Sequence, residues 1–133
     1  MEKHWRHDHW EADIKDMLGR SFNSISVSPN NTDIIFEDDD GIFTMYHEGD
    51  CCEVVEINDI TGNLIDLLDS PILLAEESTN SEEPRPDGEY VDSFTWTFYK
   101  LATIKGYVDI RWLGESNGYY SESVSIMYKE KTK

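Results

Sequence analysis

The sequence has little positive charge and no long hydrophobic run. Only 11 Lys and Arg stand against 28 Asp and Glu, which gives a formal net charge of −17 over 133 residues. We therefore expect no direct nucleic-acid partner and no membrane partner, because both bind to basic surfaces. The longest apolar run, residues 72–75, is far below the ~18 residues that span a bilayer. No apolar segment follows the first residues, so no signal peptide is expected.

Cysteine is nearly absent, and the two that occur, Cys51 and Cys52, are adjacent. Neighbouring residues of a strand point to opposite faces and a vicinal disulfide is strained, so a structural disulfide between them is not expected. Reduced thiols are typical of a reducing compartment. Together with the missing apolar segments, this predicts a cytoplasmic protein.

Aromatic residues, in contrast, are abundant: 4 Trp, 7 Tyr and 5 Phe make up 12% of the chain. Low hydrophobicity and high charge are typical of disorder, but disordered chains are poor in aromatic and β-branched residues. We therefore expect a folded core beneath an acidic surface, in a single domain spanning residues 1–133. Residues 1–7 are expected to be flexible, and residues 78–92 to form an acidic surface loop.

The first segment has the pattern of an amphipathic helix. Asp8 followed by Glu11 resembles a capping box, and Gly19 is a natural helix end. Between them, apolar residues recur at the spacing of one helical face. These residues are Trp10, Ile14, Met17 and Leu18. The pattern predicts an N-terminal helix.

A second, short helix is expected in the middle of the chain. Thr61 or Asn63 can cap it, and Pro71 ends it because the residue before a proline avoids the helical region. Its apolar residues are Leu64, Ile65, Leu67 and Leu68. In other segments, apolar and polar residues alternate with period two, which predicts about seven or eight antiparallel strands. The prediction is an α+β fold, mainly an antiparallel β meander, whose helices cover one face of a twisted sheet or half-barrel.

The strongest strand signal lies in the last third of the chain. If Lys105 and Gly106 form the loop of a hairpin, Ile104 lies opposite Tyr107. One face then carries the core residues Tyr99, Leu101, Val108, Ile110 and Trp112. The other, mixed face carries Phe98, Lys100, Ala102, Tyr107, Asp109 and Arg111. This mixed face concentrates two of the few positive charges.

Three stretches of the sequence resemble a known family. They are MYHEGDCCE (residues 45–53), SPILLAEE (residues 70–77) and the run from TWTFYK (residues 95–100) to RWLGESNGYYS (residues 111–121). Together, over residues 18–128, they resemble an uncharacterised small domain of phages and prophage-bearing bacteria. The resemblance implies a small accessory protein in the cytoplasm of a bacterial host cell, and it implies no catalytic or binding residue.

Two clusters contain residue types that bind metals or catalyse reactions. The first is the N-terminal set of His4, His7 and His9, in which His7 and His9 cannot share a helix face and no cysteine is near. The second is His47 with Cys51 and Cys52. Acidic residues surround these thiols and raise a thiol pKa, which is the opposite of what an activated nucleophile needs. We therefore predict no catalytic residue, no metal site, no cofactor and a non-enzymatic protein.

The candidate binding residues are the exposed charges and the aromatic turn. Acidic turns supply negative charge, two cations lie on the mixed face, and tyrosines beside a polar turn are typical of protein interfaces. The candidates are Asp38, Asp39, Asp40, Glu76, Glu77, Lys100, Arg111, Glu115, Asn117, Tyr119 and Tyr120.

Two functions are compatible with these residues. The first is a protein that binds and inhibits or modulates a host protein with a basic surface, including a nucleic-acid-binding protein whose ligand the acidic surface imitates. The alternative is a small-ligand protein, such as a nucleotide sponge, that binds an anionic small molecule through Lys100 and Arg111.

Overall fold

The computed structural model describes residues 2–3, 9–47, 53–81, 93–118 and 121–131. This part of the chain contains ten strands and two single-turn 3-10 helices. The strands are β1 (Glu2–Lys3), β2 (His9–Glu11), β3 (Ser24–Val27), β4 (Ile34–Glu37), β5 (Gly41–Tyr46), β6 (Val54–Thr61), β7 (Leu74–Asn80), β8 (Ser93–Thr103), β9 (Gly106–Ser116) and β10 (Ser125–Glu130). The 3-10 helices are Ile14–Met17 and Leu64–Leu67.

The strands form two antiparallel sheets. The first has the order β1-β2-β10-β5-β4-β3, and the second has the order β6-β9-β8-β7. Side chains alternate between the two faces of each sheet, as in β5, where Phe43 and Met45 are buried and their neighbours are half-buried. The inward residues of both sheets belong to one apolar cluster. The sheets therefore pack face to face as a β-sandwich.

Large aromatic rings fill the core between the sheets. In the six-stranded sheet, the ring centroids of Phe43 and Tyr128 are 4.6 Å apart, and Phe22, just before β3, packs 5.9 Å from Phe43. In the facing sheet, Trp112 is 0% exposed. Burial of these rings removes large apolar areas from water and is the main force that holds the two sheets together.

The predicted N-terminal helix is wrong: no such helix occurs among the described residues. His9–Glu11 is strand β2, which pairs with β10 so that Trp10 lies opposite Tyr128, with the ring centroids 6.0 Å apart. Only the turn Ile14–Met17 is helical, and Asp13 caps it. Backbone pairing with β10 removes residues 9–11 from any helix, and the remaining segment is too short for a stable one.

The predicted middle helix is wrong as well, and with it the α+β class. Leu64–Leu67 makes one 3-10 turn, capped by Asn63. Such a short turn cannot cover a sheet, and each sheet covers the other instead. The fold of the described residues is nearly all β, with two antiparallel sheets.

The segment expected to form an acidic loop begins within a strand. β7 continues through Asn80, so residues 78–80 pair with β8. Residues 82–92 lie outside the described residues, as do residues 1 and 4–7 of the segment expected to be flexible.

The hairpin of β8 and β9 has the predicted faces but a different register. Thr103 pairs with Gly106, so the loop is residues 104–105 instead of 105–106. Tyr99 consequently lies opposite Ile110 instead of Trp112. A shift of two residues between paired strands keeps every side chain on its face. The five predicted core residues of this hairpin are accordingly all buried.

Gly114 lies where a second segment approaches the backbone of β9. A Cβ at this position would overlap the carbonyl oxygen of Glu122. Glu122 is held there by its own side chain, because Oε1 accepts from Thr95 Oγ1 at 2.8 Å and Oε2 from Ser116 Oγ at 2.5 Å. The close approach fixes the chain between β9 and β10.

We expect Gly114→Ala to lower the free energy of unfolding by about 2 kcal/mol, the usual cost of an overfilled interior. Urea denaturation measures this. Gly118→Ala is the matched control, because its Cβ meets nothing within 4 Å and its cost comes only from a positive φ of 96°. A Gly114→Ala variant as stable as the wild type would contradict the close approach.

Candidate functional site

A groove of about 630 Å³ runs along β7, the edge strand of the four-stranded sheet. Its walls come from β7, β8 and β9 and from the first 3-10 helix with its cap. The lining residues are Asp13, Ile14, Lys15, Glu76, Glu77, Ser78, Phe98, Tyr99, Lys100 and Asp109. The groove therefore brings together Glu76, Glu77 and Lys100, three of the candidates predicted from the sequence.

Sheet register places the charged side chains of this groove. Glu76 lies opposite Lys100 on the outer face of the sheet, and Glu77 lies opposite Tyr99. Asp109 in β9 is the next neighbour of Lys100. Because successive residues of a strand point to opposite faces, the groove receives side chains from both sides of the sheet edge.

Asp13 is held in place by the 3-10 helix that it caps. Its Oδ1 accepts a hydrogen bond from the backbone N–H of Lys15 at 3.1 Å. In return, Oδ2 of Asp16 accepts from the backbone N–H of Asp13 at 2.8 Å. This capping box fixes the Asp13 carboxylate beside β7 without the need for a longer helix.

The lining residues of the groove carry more negative than positive charge. Four carboxylates face two ammonium groups, a formal balance of −2. Lys100 Nζ lies 3.9 Å from Asp109 Oδ1 and 5.3 Å from the ring centroid of Tyr107. Lys15 Nζ donates to the carbonyl oxygen of Ala75 at 3.4 Å. The two lysines are thus already engaged, and the excess charge belongs to the carboxylates.

Tyr99 forms the inner wall of the groove, and its hydroxyl is an unusual feature. The residue is 1% exposed, and its Oη has no hydrogen-bond partner among the described residues. Burial raises the pKa of Tyr99, and the nearby carboxylates of Glu77 and Asp13 raise it further. Glu77 is thus close enough to attract the phenol O–H as well as to act by its charge, although the two groups do not meet the geometry of a full hydrogen bond. The phenol remains protonated at any physiological pH.

The acidic turn after β4 divides into one buried and two exposed carboxylates. Asp38 is 5% exposed and accepts hydrogen bonds from Arg20 Nε at 2.6 Å and Nη2 at 2.9 Å. The backbone N–H groups of Asp40 and Gly41 also donate to it. Burial alone would raise the pKa of Asp38, but these donors hold it below its usual range. Asp38 therefore closes the turn, whereas Asp39 and Asp40 are exposed.

The two predicted cations share the outer face of the four-stranded sheet. Arg111 donates from Nε and Nη2 to Asn58 Oδ1, at 2.9 and 2.6 Å, and its guanidinium lies 4.9 Å from the ring centroid of Trp96. Lys100 contacts Asp109 on the same face. Each cation therefore has a partner of its own, and the pair does not form a preorganised anion site.

The remaining predicted candidates lie at the far end of β9 or outside the described residues. Glu115 is half-buried and Asn117 exposed. Residues 119–120, which include Tyr119 and Tyr120, lie outside the described residues. So do Cys51, Cys52, His4 and His7, and the described residues contain no group of three or more His, Cys, Asp or Glu side chains that could hold a metal ion.

His47 is the remaining titratable member of these clusters whose side chain is described. Its Nδ1 donates to the carbonyl oxygen of Ser123 at 2.8 Å, and its Nε2 lies 3.1 Å from Glu53 Oε1. Both ring nitrogens therefore have acceptor partners within the protein. The side chain ties the end of β5 to the segments before β6 and β10.

Sequence reasoning did not select Asp13, Lys15, Tyr99 or Asp109 as site residues. Asp109 and Tyr99 were assigned to opposite faces of the hairpin, and their common groove exists only because it crosses the sheet edge. Asp13 with Asp16 is a capping pattern that was recognisable in the sequence. The signal was missed because Asp8 and Glu11 fitted a longer helix.

A family model described as "Domain of unknown function (DUF7448)" matches residues 15–126. The chain belongs to this family. Among curated proteins and among solved structures, no match to the chain was found. No helix of the described residues is long and apolar enough to cross a membrane.

Proposed function

We propose that this member of the family is a small acidic, non-enzymatic accessory protein that binds and modulates a partner with a basic surface. The partner in this proposal is a protein of the bacterial host, and the chain acts in the cytoplasm on behalf of a phage or prophage. The observation that carries the proposal is the groove along β7, where four carboxylates outnumber two engaged lysines.

Charge on the rest of the molecule supports the same partner. A net charge of −17 creates a negative potential that attracts a basic protein from a distance and speeds its association. Outside the groove, exposed carboxylates also occur at Asp39 and Asp40, in the turn between β4 and β5 of the six-stranded sheet. A host protein that normally binds nucleic acid fits this surface best, because its own groove is basic over a wide area.

The alternative function is binding of an anionic small molecule, such as a nucleotide. Lys100 and Arg111 lie on one face, as this function requires. Arg111, however, already uses two of its nitrogen atoms on Asn58, and Lys100 lies beside a carboxylate. A phosphate would have to displace these contacts and approach a surface of like charge, so we place this function second.

Affinity capture from a bacterial lysate, followed by mass spectrometry of proteins and of small molecules, tests the proposal. The control bait is an unrelated protein of equal net charge. We expect basic proteins that the control bait does not retain, and their release at about 500 mM salt, where charges are screened within a few ångströms. A captured candidate must then bind as a purified protein. Recovery of a nucleotide and no specific protein would instead favour the alternative.

The kinetics of association with such a purified partner provide a prediction. Asp39→Asn combined with Asp40→Asn should lower the association rate constant about twofold at low salt and leave the dissociation rate constant unchanged, since exposed charges at the rim act mainly on encounter. Biolayer interferometry at about 50 and 500 mM salt measures both constants. An association rate that does not depend on salt would show that the acidic surface serves only solubility.

A further inference from the structure

Residues 76–79 of β7 form an edge that no other described strand than β8 pairs with. The backbone N–H of Gly19 donates to the carbonyl oxygen of Ile72, and Lys15 Nζ reaches the carbonyl oxygen of Ala75. From there, residues 76–79 are exposed, and β8 is the only described strand that pairs with them. An edge strand of this kind presents backbone N–H and C=O groups to another chain.

Tyr99, which lines the groove beside this edge, carries a polar atom whose hydrogen bonding is incomplete. Tyr99 Oη is buried and has no partner among the described residues, while the carboxylates of Glu77 and Asp13 act on it by their charge. A buried hydroxyl without a hydrogen-bond partner destabilises the protein, so a donor or acceptor that binds to it lowers the free energy of the complex. A phenol oxygen can accept from a cation while its O–H turns towards a carboxylate.

We infer that this groove receives the arginine or lysine side chain of a partner segment that pairs, in extended conformation, with the free edge of β7. This inference rests on the proposed function and specifies where the basic partner binds. The cation donates hydrogen bonds to the carboxylates of Glu77 and Asp13. It also donates to Tyr99 Oη, which is buried in the free protein, so the side chains that cover this atom move aside when the cation binds.

The charge of the groove favours this cation, and the size of the groove accommodates it. Bonds between an N–H of a cation and a carboxylate are roughly twice as strong as bonds between neutral groups. The two adjacent glutamates discourage acidic strands and a second copy of this acidic chain from pairing with the edge. A groove of about 630 Å³ has ample room for one long side chain, because ligand sites of ~300–1,000 Å³ hold whole small molecules.

The test uses the full-length protein and a fluorescent peptide of alternating arginine and threonine, seven residues long to match β7. Three peptides serve as controls. In the first, citrulline replaces arginine, which keeps the shape and removes the charge. In the second, proline replaces threonine, which keeps the charge and prevents strand pairing. In the third, glutamate replaces arginine. Fluorescence anisotropy at low salt measures the affinities, and we expect the parent peptide to bind most tightly.

Two protein variants test whether the peptide binds in the groove. Glu77→Gln should weaken binding of the parent peptide about tenfold, the effect of one lost charge-assisted bond. Tyr99→Phe should weaken it several-fold, yet leave the melting temperature unchanged or higher, because the hydroxyl that it removes has no hydrogen-bond partner among the described residues of the free protein. Asp39→Asn is the matched control: it also removes an exposed charge, but from the turn after β4, and should change the affinity less than twofold.

The possible results separate this inference from the proposed function. If the parent peptide binds Glu77→Gln and Tyr99→Phe as tightly as the wild type, the groove is not the site, whereas the basic-partner function stands. If the proline peptide binds as well as the parent peptide, strand pairing with β7 is wrong. If no basic peptide binds the wild type even at low salt, both the inference and the proposed function fail.

Discussion

Replacement of Trp112 by alanine is expected to lower the free energy of unfolding by about 4 kcal/mol, because loss of a buried tryptophan combines lost burial with a cavity. Trp112 is 0% exposed and lies in the centre of the four-stranded sheet, facing the six-stranded sheet. The rigid sandwich cannot close around a space of that size. Urea denaturation followed by tryptophan fluorescence, with the other three tryptophans as reporters, measures the loss.

Trp112→Phe is the matched variant. It keeps much of the ring volume and removes the indole N–H, which has no hydrogen-bond partner among the described residues. Removal of an unpaired buried donor offsets part of the lost packing, so the cost should be about 1–2 kcal/mol. A phenylalanine variant as unstable as the alanine variant would show that the indole N–H has a partner that stabilises the fold.

Replacement of Arg20 by alanine is expected to lower the free energy of unfolding by about 3 kcal/mol at neutral pH, since it leaves the buried Asp38 carboxylate without its cation. The guanidinium also donates to Tyr128 Oη at 3.0 Å and lies 5.2 Å from the ring centroid of Phe43. Arg20 therefore joins the acidic turn to the aromatic core. The side chain of Arg20 is 21% exposed, which places the expected cost at the lower end of the range for buried ion pairs.

The dependence on pH follows from the charge of Asp38. In the wild type its folded pKa is below the usual value, so its stabilising effect is present above the unfolded pKa of about 3.9 and is lost as the pH falls through the folded pKa. Without Arg20, less opposes the effect of burial, so the pKa of Asp38 is higher in the variant than in the wild type and the charged carboxylate stabilises the variant less above pH ~4. The difference in free energy of unfolding between the wild type and Arg20→Ala should therefore become smaller as the pH falls from 6 to 2.

Lys131→Ala is the control for this experiment. Lys131 pairs with Glu37 at 2.7 Å near the same turn, but both side chains are about one third exposed, at 33% and 37%, and so are partly solvated. Solvent screening makes such pairs weak, so the variant should be nearly as stable as the wild type at every pH. If the cost of Arg20→Ala did not change with pH, it would have to come from lost packing on Phe43 and Tyr128 instead of from Asp38.

Strand faces in the last third of the chain were determined by the sequence itself. Because side chains of a strand alternate between its two faces, each residue of β8 and β9 can be assigned to a face from the sequence. The observed loop differs from the predicted one, but it shifts the pairing of the two strands by two residues, which keeps each residue on its face. Tyr99 and Trp112 are therefore buried as predicted, although their cross-strand partners differ. The overall acidity, and with it the preference for a basic partner, is also a property of composition alone.

Tertiary structure decided the outcome where local signals were compatible with two conformations. Trp10 and Ile14 have helical spacing, but pairing of β2 with β10, a strand from the other end of the chain, placed Trp10 in a sheet. Asp38 and Asp39 are adjacent and alike in sequence, but Asp38 is buried in the turn, where Arg20, 18 residues earlier, donates to its side chain. The groove joins the segment before β3 to β7, β8 and β9. Such long-range pairings depend on which strands become neighbours, and local patterns carry no information about that order.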